Sequence, residues 1–397
     1  MKELLYALFT LSVLFKVILN LSGINLPVNI TLILVPFLLM EMWISWVKKQ
    51  KEVEMSEFLS IILLIVFWGW MILTSFYSPA NSFKVIKPIL FLLNILMFVY
   101  PVVVKLDYRR YFKQFIFIAS MVEPILVILV PLLLFGDIEG SRTFYLALGQ
   151  ISGVIVLLVL VLIKEKHLKL NLKWLFIILL HLLILVANPA RGAVVFTVLL
   201  LILWTFVSFY KLLDIKFIFI LMILFIAGGL VIFNLFQSFP EYGEFLYLRM
   251  HSLIKSLFSE NSSLIEISTF KRLQLWAYSY KMIFENNLFH FFFGYGIGSF
   301  GVLFSGYDGR LYPHNMFLET WFELGFIGLL ILFLFLLSVV FVIIKKKNYY
   351  FFFPILITFL GAMKSGSLPD LRLFFSMITI AMTYQVAKST NSVKHYD

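Results

Sequence analysis

The sequence predicts an all-α polytopic membrane protein, and two features of its composition carry that prediction. Hydrophobic residues make up 62% of the 397-residue chain and charged residues only 13%, whereas charged residues make up about 25% of an ordinary soluble domain. The apolar residues also come in runs that approach the roughly 20 residues a helix needs to cross a bilayer. This composition excludes a soluble enzyme, a disordered protein and, because there is no Cys, a disulfide scaffold. It shows none of the alternation of membrane barrel strands.

About twelve apolar runs are predicted to span the membrane, and the longest segment between them separates the ninth run from the tenth. The chain therefore divides into residues 1–236 with spans 1 to 9, an outer loop at 237–314, and residues 315–397 with spans 10 to 12 and a cytoplasmic tail. The predicted limits of the spans are 4–22, 28–47, 58–77, 86–104, 114–135, 143–163, 173–187, 191–210, 217–236, 315–344, 349–363 and 372–388.

The Lys and Arg residues orient these spans. With both termini in the cytoplasm, the inner segments carry 19 of these residues and the short outer loops carry only six. Cytoplasmic loops of membrane proteins have this excess of positive charge. The net charge of +11 is thus explained by topology and not by a nucleic-acid partner, because the cations are spread between apolar runs rather than gathered on one patch.

Four of the outer cations lie near predicted outer membrane ends, against the trend set by the topology. Two interpretations stay open for them. Each side chain could extend separately to the membrane surface, or the set could form a site for an anion. The four residues are Arg142, Arg191, Lys364 and Arg372.

The outer loop is predicted to contain two helices, at 242–258 and 269–288. Arg272 lies beside the apolar stripe of the second helix, which is expected to lie on or across the outer face of the bundle. An interfacial helix without chemistry has the same pattern. The stripe is formed at helical spacing by Phe270, Leu273, Ala277, Tyr280 and Phe284.

Residues 296–301 in the same loop match the pattern G-x-G-x-x-G. A dinucleotide site is rejected, because no strand precedes the pattern and no βαβ unit surrounds it. The glycines instead predict a turn in which the backbone can approach another group closely.

A polar cluster marks the start of the tenth span. Pro313 predicts the beginning of a helix, and Asn315, Glu319 and Glu323 then fall on one face of it. Carboxylates at the end of a membrane helix are costly unless they are paired or hydrated. His314 precedes the helix, and these neighbours make it a candidate functional residue.

Other familiar chemistry is not indicated. The six His residues form no H-E-x-x-H or similar pair and there is no Cys, so a zinc site built by the protein is not expected. The P-loop pattern G-x-x-x-x-G-K-[ST] is missing. Glu123, inside the fifth predicted span, could pair with Lys16, contact His181 or touch a substrate.

Three elements of the sequence resemble the O-antigen ligase/polymerase family. The run Pro313-His314-Asn315…Leu318…Glu323-x-Gly325-x-x-Gly328 resembles its signature. Asn188-Pro189-Ala190-Arg191-Gly192 is similar to the Ser-Arg-Gly element of the family, with Ala190 in place of the usual Ser. Arg272-x-x-x-Trp276 followed by Gly294-x-Gly296-x-Gly298 resembles its central loop. Residues 139–144, with Arg142, are a degenerate form of an upstream element, and the resemblance covers residues 120–345.

This resemblance implies a GT-C-like membrane fold and transfer of lipid-linked glycans at the outer face of a bacterial plasma membrane. The implied donor and acceptor are undecaprenyl-pyrophosphate glycans and the implied partners are membrane lipid and a chain-length regulator, with no cofactor or metal. Polymerases of the family join repeat units of O-antigen, capsule or exopolysaccharide, and ligases move the polymer onto lipid A-core. The polymerase is our first expectation and the ligase the alternative, because the motifs do not separate them. A flippase or transporter is a third reading, which would predict internal repeats.

The resemblance and the chemistry together assign roles to residues. Arg191 and Arg272 are expected to hold the pyrophosphate, because guanidinium groups bind phosphate bidentately. His314 is expected to take the proton from the acceptor hydroxyl. Trp276 and Trp321 could stack on sugars. Further substrate contacts are expected from Arg142, Arg310, Tyr312, Asn315, Glu319, Glu323 and Arg372.

Overall fold

The computed structural model of the protein describes residues 1–21, 30–48, 52–135, 144–209, 244, 267–285 and 287–384. Within these ranges the regular structure is helical and there is no strand. The predicted span 217–236, the predicted helix 242–258, Arg142 and the chain beyond Tyr384 lie outside the described residues.

The helices are numbered here in chain order. They are α1 Lys2–Thr10, α2 Ser12–Leu21, α3 Ile30–Val47, α4 Met55–Ser75, α5 Phe83–Val103, α6 Tyr108–Phe135, α7 Phe144–Lys164, α8 Leu172–Ala187, α9 Arg191–Phe209, α10 Ile267–Glu285, α11 Leu288–Phe293, α12 Ser299–Ser305, α13 Met316–Lys345, α14 Phe352–Lys364 and α15 Arg372–Thr383, with short 3-10 helices at Tyr349–Phe351 and Leu368–Asp370.

Six helices among the described residues are long and apolar enough to cross a membrane, namely α3, α4, α5, α6, α7 and α13. Four shorter apolar segments, those of α8, α9, α14 and α15, accompany them. The prediction of an all-helical polytopic membrane protein is therefore confirmed. The number of twelve spans and the GT-C-like arrangement stay predictions. The first predicted span, 4–22, is in fact two helices, because the chain leaves helical geometry at Leu11.

The α7 helix lies at the centre of the bundle. It packs against α2, α6, α8, α9 and α14, and its apolar residues surround the whole circumference, as expected for a helix buried on every side. Small residues set its distance from α9: a Cβ on Gly149 would lie 2.8 Å from the Cβ of Ala193 and 2.9 Å from that of Ala190. This close approach fixes the position of Arg191 at the start of α9.

The α13 helix breaks at Gly325, which has a φ of 69°. The break leaves carbonyl groups without partners inside the helix, and other segments supply the donors. The backbone N–H of Tyr295 donates to Phe322 O and that of Gly296 to Glu323 O, both at 2.9 Å. The indole N–H of Trp70 donates to Leu324 O at 2.8 Å. The predicted glycine turn thus approaches another backbone closely, and that backbone is α13.

Two glycines allow this contact. Gly294 has a φ of 76°, and a Cβ on it would lie 2.5 Å from the backbone of Glu323 and of Gly325. A Cβ on Gly325 would overlap the carbonyl of Phe292. Both positions require the left-handed backbone that favours glycine.

We expect Gly325→Ala to lower the melting temperature and the membrane yield of the protein. The substitution places a side chain at positive φ, which costs on the order of 1–3 kcal/mol, and adds the overlap with Phe292. Gly69→Ala is the matched control, because a Cβ at that helical position meets no atom within 4 Å. Thermal unfolding of the purified proteins, followed by intrinsic fluorescence, checks the prediction. Equal melting temperatures for the two variants would contradict it.

Candidate active site

A cavity of about 80 Å³ lies where α7 and α9 begin and α14 ends. Arg191, Arg272 and Lys364 line it, together with the neutral polar residues Gln150 and Ser365. The structure therefore brings together the two arginines that the sequence analysis assigned to the pyrophosphate. It adds Lys364, which the sequence analysis listed only among the outer cations.

The turn between α8 and α9 places Arg191. Asn188, which is buried, ends α8; its Oδ1 accepts from the N–H of Ala190 at 3.1 Å and its Nδ2 donates to the carbonyl of Tyr145 at 2.9 Å. The side chain of Asn188 thus fixes the turn to the beginning of α7. Arg191 is the first residue of α9, so this turn sets the point from which its side chain starts. The backbone N–H groups of Arg191 and Ala193 donate to the carbonyls of Pro189 and Ala190, both at 2.9 Å.

Arg272 reaches the cavity from α10, which confirms most of the helix predicted at 269–288. The predicted apolar stripe is not the packed face, however. Phe270, Leu273, Tyr280 and Phe284 are exposed, whereas Leu275, Ser279 and Ile283 are buried. Exposed apolar residues on such a helix suit the interface of a membrane.

The indole of Trp276, one turn after Arg272, donates to the carbonyl of Pro313 at 2.7 Å. This bond ties α10 to the residue that precedes His314. Trp276 therefore has a positioning contact in the structure, beside the sugar stacking expected from the sequence.

His314 is held in an unusual backbone conformation, with a φ of 59°. Few non-glycine residues adopt this region, and those that do are often found at functional sites. The ring lies 4.4 Å from the ring of Tyr312, measured between centroids. Its Nδ1 is buried and has no hydrogen-bond partner among the described residues. Nδ1 is therefore an unpaired ring atom within the described structure, and His314 itself is not among the residues that line the cavity.

The surroundings of His314 lower its pKa below the usual 6.5. Burial is the largest cause, because it disfavours the charged imidazolium, and the positive charge of Arg272 adds to it. A hydrogen bond with the Ser365 backbone and the charge of Glu319 act in the opposite direction. The ring is consequently neutral at pH 7, as a proton acceptor must be.

Glu319 and Glu323 share one buried cation, Lys87 of α5. Lys87 Nζ lies 2.5 Å from Glu319 Oε1 and 2.6 Å from Glu323 Oε2, and all three side chains are fully buried. The backbone N–H of Gly298 donates to Glu323 at 3.0 Å. Ser367 Oγ and the N–H of Leu368 donate to Glu319 at 2.8 and 3.0 Å. Both carboxylates, which the sequence placed on one face as predicted substrate contacts, are thus engaged within the protein.

Lys87, at the beginning of the predicted span 86–104, was not among the predicted site residues. The signal that could have identified it is the pair of carboxylates itself, since two Glu residues at i and i+4 on a membrane helix need a cation nearby. Lys87 was the lysine near the end of a predicted span that could supply it.

Asn315, Tyr312 and Trp321 have structural contacts near the cavity. Asn315 caps α13, because its Oδ1 accepts from the N–H groups of Phe317 and Leu318. The hydroxyl of Tyr312 donates to the carbonyl of Ser365 at 3.4 Å. Trp321 packs against Phe284, with ring centroids 5.1 Å apart.

Two further predicted contacts are placed elsewhere. Arg310 forms an exposed ion pair with Asp370. Arg372 is half-buried and donates to Ser12 Oγ and Thr31 Oγ1, both at 2.9 Å, so it ties α15 to α2 and α3. Neither side chain lines the cavity.

Glu123 is paired inside the bundle with His181, one of the alternatives that the sequence analysis left open. Its Oε2 lies 3.0 Å from His181 Nδ1 and accepts from the hydroxyl of Ser152. Ser120 Oγ lies 2.9 Å from the other ring nitrogen of His181. This polar cluster joins α6, α7 and α8.

Comparison with known families places these residues in context. Residues 174–333 match the family model described as O-antigen ligase. This match supports the assignment of that region to the O-antigen ligase/polymerase family. The resemblance deduced from the motifs is therefore confirmed for this region, which contains Arg191, Arg272 and His314. Lys87 and Lys364 lie outside the matched residues. No curated protein matches the sequence.

We expect Lys87→Met to destabilise the protein strongly. Removing one partner of a buried ion pair leaves an uncompensated charge and costs about 3–5 kcal/mol, and here two carboxylates lose their cation. Lys84→Met, one turn earlier on α5 and not part of the cluster, is the control. The triple variant Lys87→Met/Glu319→Gln/Glu323→Gln should recover part of the lost stability. Melting temperatures in one detergent check all three variants, and an unchanged value for Lys87→Met would contradict the prediction.

Proposed function

We propose that the protein is a glycosyltransferase that polymerises undecaprenyl-pyrophosphate-linked oligosaccharide repeat units at the outer face of a bacterial plasma membrane. One observation carries the proposal: the predicted phosphate-binding arginines, Arg191 and Arg272, line one cavity, and Arg272 is close enough to His314 to lower its pKa. The family match supports an enzyme of O-antigen pathways.

The cations suit the leaving group of such a reaction. Cleavage of the bond between the anomeric carbon and the pyrophosphate oxygen leaves the electron pair on that oxygen, so negative charge grows as the reaction proceeds. Arg191 and Arg272 line the same cavity, and planar guanidinium forks of this kind bind phosphates bidentately. Groups held in advance near developing charge stabilise the transition state most effectively. We propose that these arginines do the work of the divalent metal that many sugar transferases use.

His314 suits the acceptor side of the reaction. A sugar hydroxyl attacks the anomeric carbon, the new carbon–oxygen bond forms, and the hydroxyl proton passes to His314 Nδ1. That atom is buried without a partner in the described part of the chain, and the depressed pKa keeps the ring neutral. The ring of His314 thus has an unpaired nitrogen and is uncharged, and a general base requires both properties.

The ligase is the alternative function, because it uses the same donor and the same chemistry with lipid A-core as acceptor. The proposal places both termini in the cytoplasm, following the distribution of Lys and Arg residues. A chain-length regulator is the protein partner that the proposal includes.

The test is reconstitution of the purified protein in nanodiscs with undecaprenyl-pyrophosphate-linked repeat units, with and without EDTA. A ladder of longer lipid-linked glycans by gel and mass spectrometry is expected in both cases. In a deletion strain, loss of the ladder with single units remaining supports the polymerase. Full-length polymer that stays on the lipid carrier would identify the ligase, and single units trapped on the cytoplasmic side would identify a flippase and overturn the proposal.

We expect Arg191→Ala, Arg272→Ala and His314→Ala each to abolish polymerisation while membrane levels stay at the wild-type value. The first two changes remove phosphate-binding charge and the third removes the base. Product ladders and immunoblots of membranes check both parts of the prediction. Arg110→Ala is the control, because that exposed arginine pairs with Asp107 and lies outside the cavity. Full activity of His314→Ala would remove the base assignment.

The pH dependence gives a further prediction. Because the pKa of His314 is lowered, activity should persist at neutral pH and fall only as the pH drops through a value below 6.5. Arg272→Gln removes a charge that lowers this pKa, so the acidic limb should move to higher pH. Arg272→Lys keeps the charge and should leave the limb in place, although both variants turn over slowly. Profiles of kcat/KM against pH check this, and identical limbs for the two variants would contradict it.

A further inference from the structure

Lys364, the last residue of α14, places its amine directly over the beginning of α9. A Cβ added to Gly192 would lie 2.5 Å from Lys364 Nζ and 3.0 Å from its Cδ, so this amine occupies the space that any larger residue at 192 would fill. The same Nζ lies 5.8 Å from the centroid of the Phe196 ring, one turn along α9. The side chain of Lys364 therefore runs along α9 from its first turn.

The packing of α14 fixes this arrangement. Gly361, one turn before Lys364, faces the amide of Gln150 on α7 so closely that a Cβ there would overlap it. Close contacts between small residues hold membrane helices in one register. The end of α14 is consequently tied to both α7 and α9, and Lys364 is positioned by rigid helices rather than by a loop.

Lys364, Arg191 and Arg272 all line the cavity, and all three side chains are half-buried. A pyrophosphate esterified at both ends carries two negative charges. When the sugar departs with its anomeric carbon, the pyrophosphate that stays on the lipid gains a third charge at the oxygen of the broken bond. Two cations therefore match the donor, and three match the leaving group.

We propose that Lys364 is a third phosphate-binding cation of this site and that it binds the charge that appears on the leaving pyrophosphate. This inference rests on the proposed function. An interaction that strengthens as the bond breaks accelerates the chemical step, whereas equal binding of donor and transition state does not. The compact ammonium group, held over Gly192 at the beginning of α9, suits a single oxygen better than a bidentate phosphate edge.

A purely structural role makes a different prediction. Lys364 is in the last turn of α14, where a positive charge interacts favourably with the helix dipole. Such a role would affect the stability of the protein and would not distinguish ligands by their charge. The experiment therefore measures ligand preference in addition to stability.

The first test uses soluble lipid phosphates on the full-length protein in nanodiscs. Farnesyl pyrophosphate carries the additional charge of the leaving group, and farnesyl monophosphate does not. Lys364→Gln should weaken binding of the pyrophosphate about tenfold or more and change binding of the monophosphate much less, while Lys364→Arg keeps the wild-type preference. Lys84→Gln, an outer lysine away from the cavity, is the control and should bind both as the wild type does. Equal weakening of the two probes, or none, overturns the inference.

Gly192→Ala provides a second variant that does not touch Lys364. Its methyl group displaces the amine, so it should reproduce the loss of pyrophosphate preference, and the double variant should be no worse than either single variant. Additive losses would overturn the inference.

Measuring the turnover of the wild-type protein and of Lys364→Gln distinguishes a failure of this inference from a failure of the proposed function. If wild-type protein forms no glycan ladder, the proposed function fails. If wild-type protein is active and Lys364→Gln keeps its full kcat, only the role of Lys364 fails. The expected result is a fall in kcat of about tenfold or more with little change in KM for the donor.

Discussion

The buried contact of Lys87 with Glu319 and Glu323 is the interaction on which the arrangement of the site depends. Two carboxylates and one ammonium group are completely removed from solvent, and ions in such surroundings are tolerated only when their partners are correctly placed. The partners come from α5, from α13, from the glycine turn at Gly298 and from the segment at Ser367. A shift of any of these elements would leave a charge uncompensated. The cluster therefore fixes where α13 begins, and with it the position of the residues that precede this helix.

The break in α13 imposes a similar requirement on the backbone, because its buried polar groups also need partners. A helix that stops bonding to itself at Gly325 exposes carbonyl groups, and these groups cannot find water inside a packed bundle. The N–H groups of the turn after Gly294 and the indole of Trp70 satisfy them. The hydroxyl of Tyr77 adds a 2.5 Å bond to the carbonyl of Phe293. Charge pairing and backbone pairing thus join the same two segments, so the glycine turn is a structural partner of α13 rather than an open loop for a ligand.

Much of this architecture follows from the sequence, because long apolar runs need little beyond their length to be recognised as helices. The meeting of Arg191 and Arg272 also followed, since both belong to motifs of one family. The sequence could not reveal which face of a helix packs inward, and the apolar stripe of α10 is in fact its exposed face. It could not pair Lys87 with Glu323 either, because 236 residues separate them and the depth of a residue in the membrane does not specify its direction around the helix axis. Lys364 was named among four outer cations that could form an anion site, but the sequence could not tell that Arg191 and Lys364 line one cavity and Arg372 does not.

The location of the cavity suits the highly charged leaving group of the proposed reaction, even in a protein with so few charges. Charges at the rim of an apolar bundle interact in a medium less polarisable than water, so each cation there is more effective than it would be on an open surface. That advantage is useful only if the cations cannot move away from the cavity. Arg191 begins a helix packed closely on α7, and Lys364 ends a helix packed on both α7 and α9. Helix packing thus holds these positive charges in fixed positions around the cavity, where an anion that enters can contact them together.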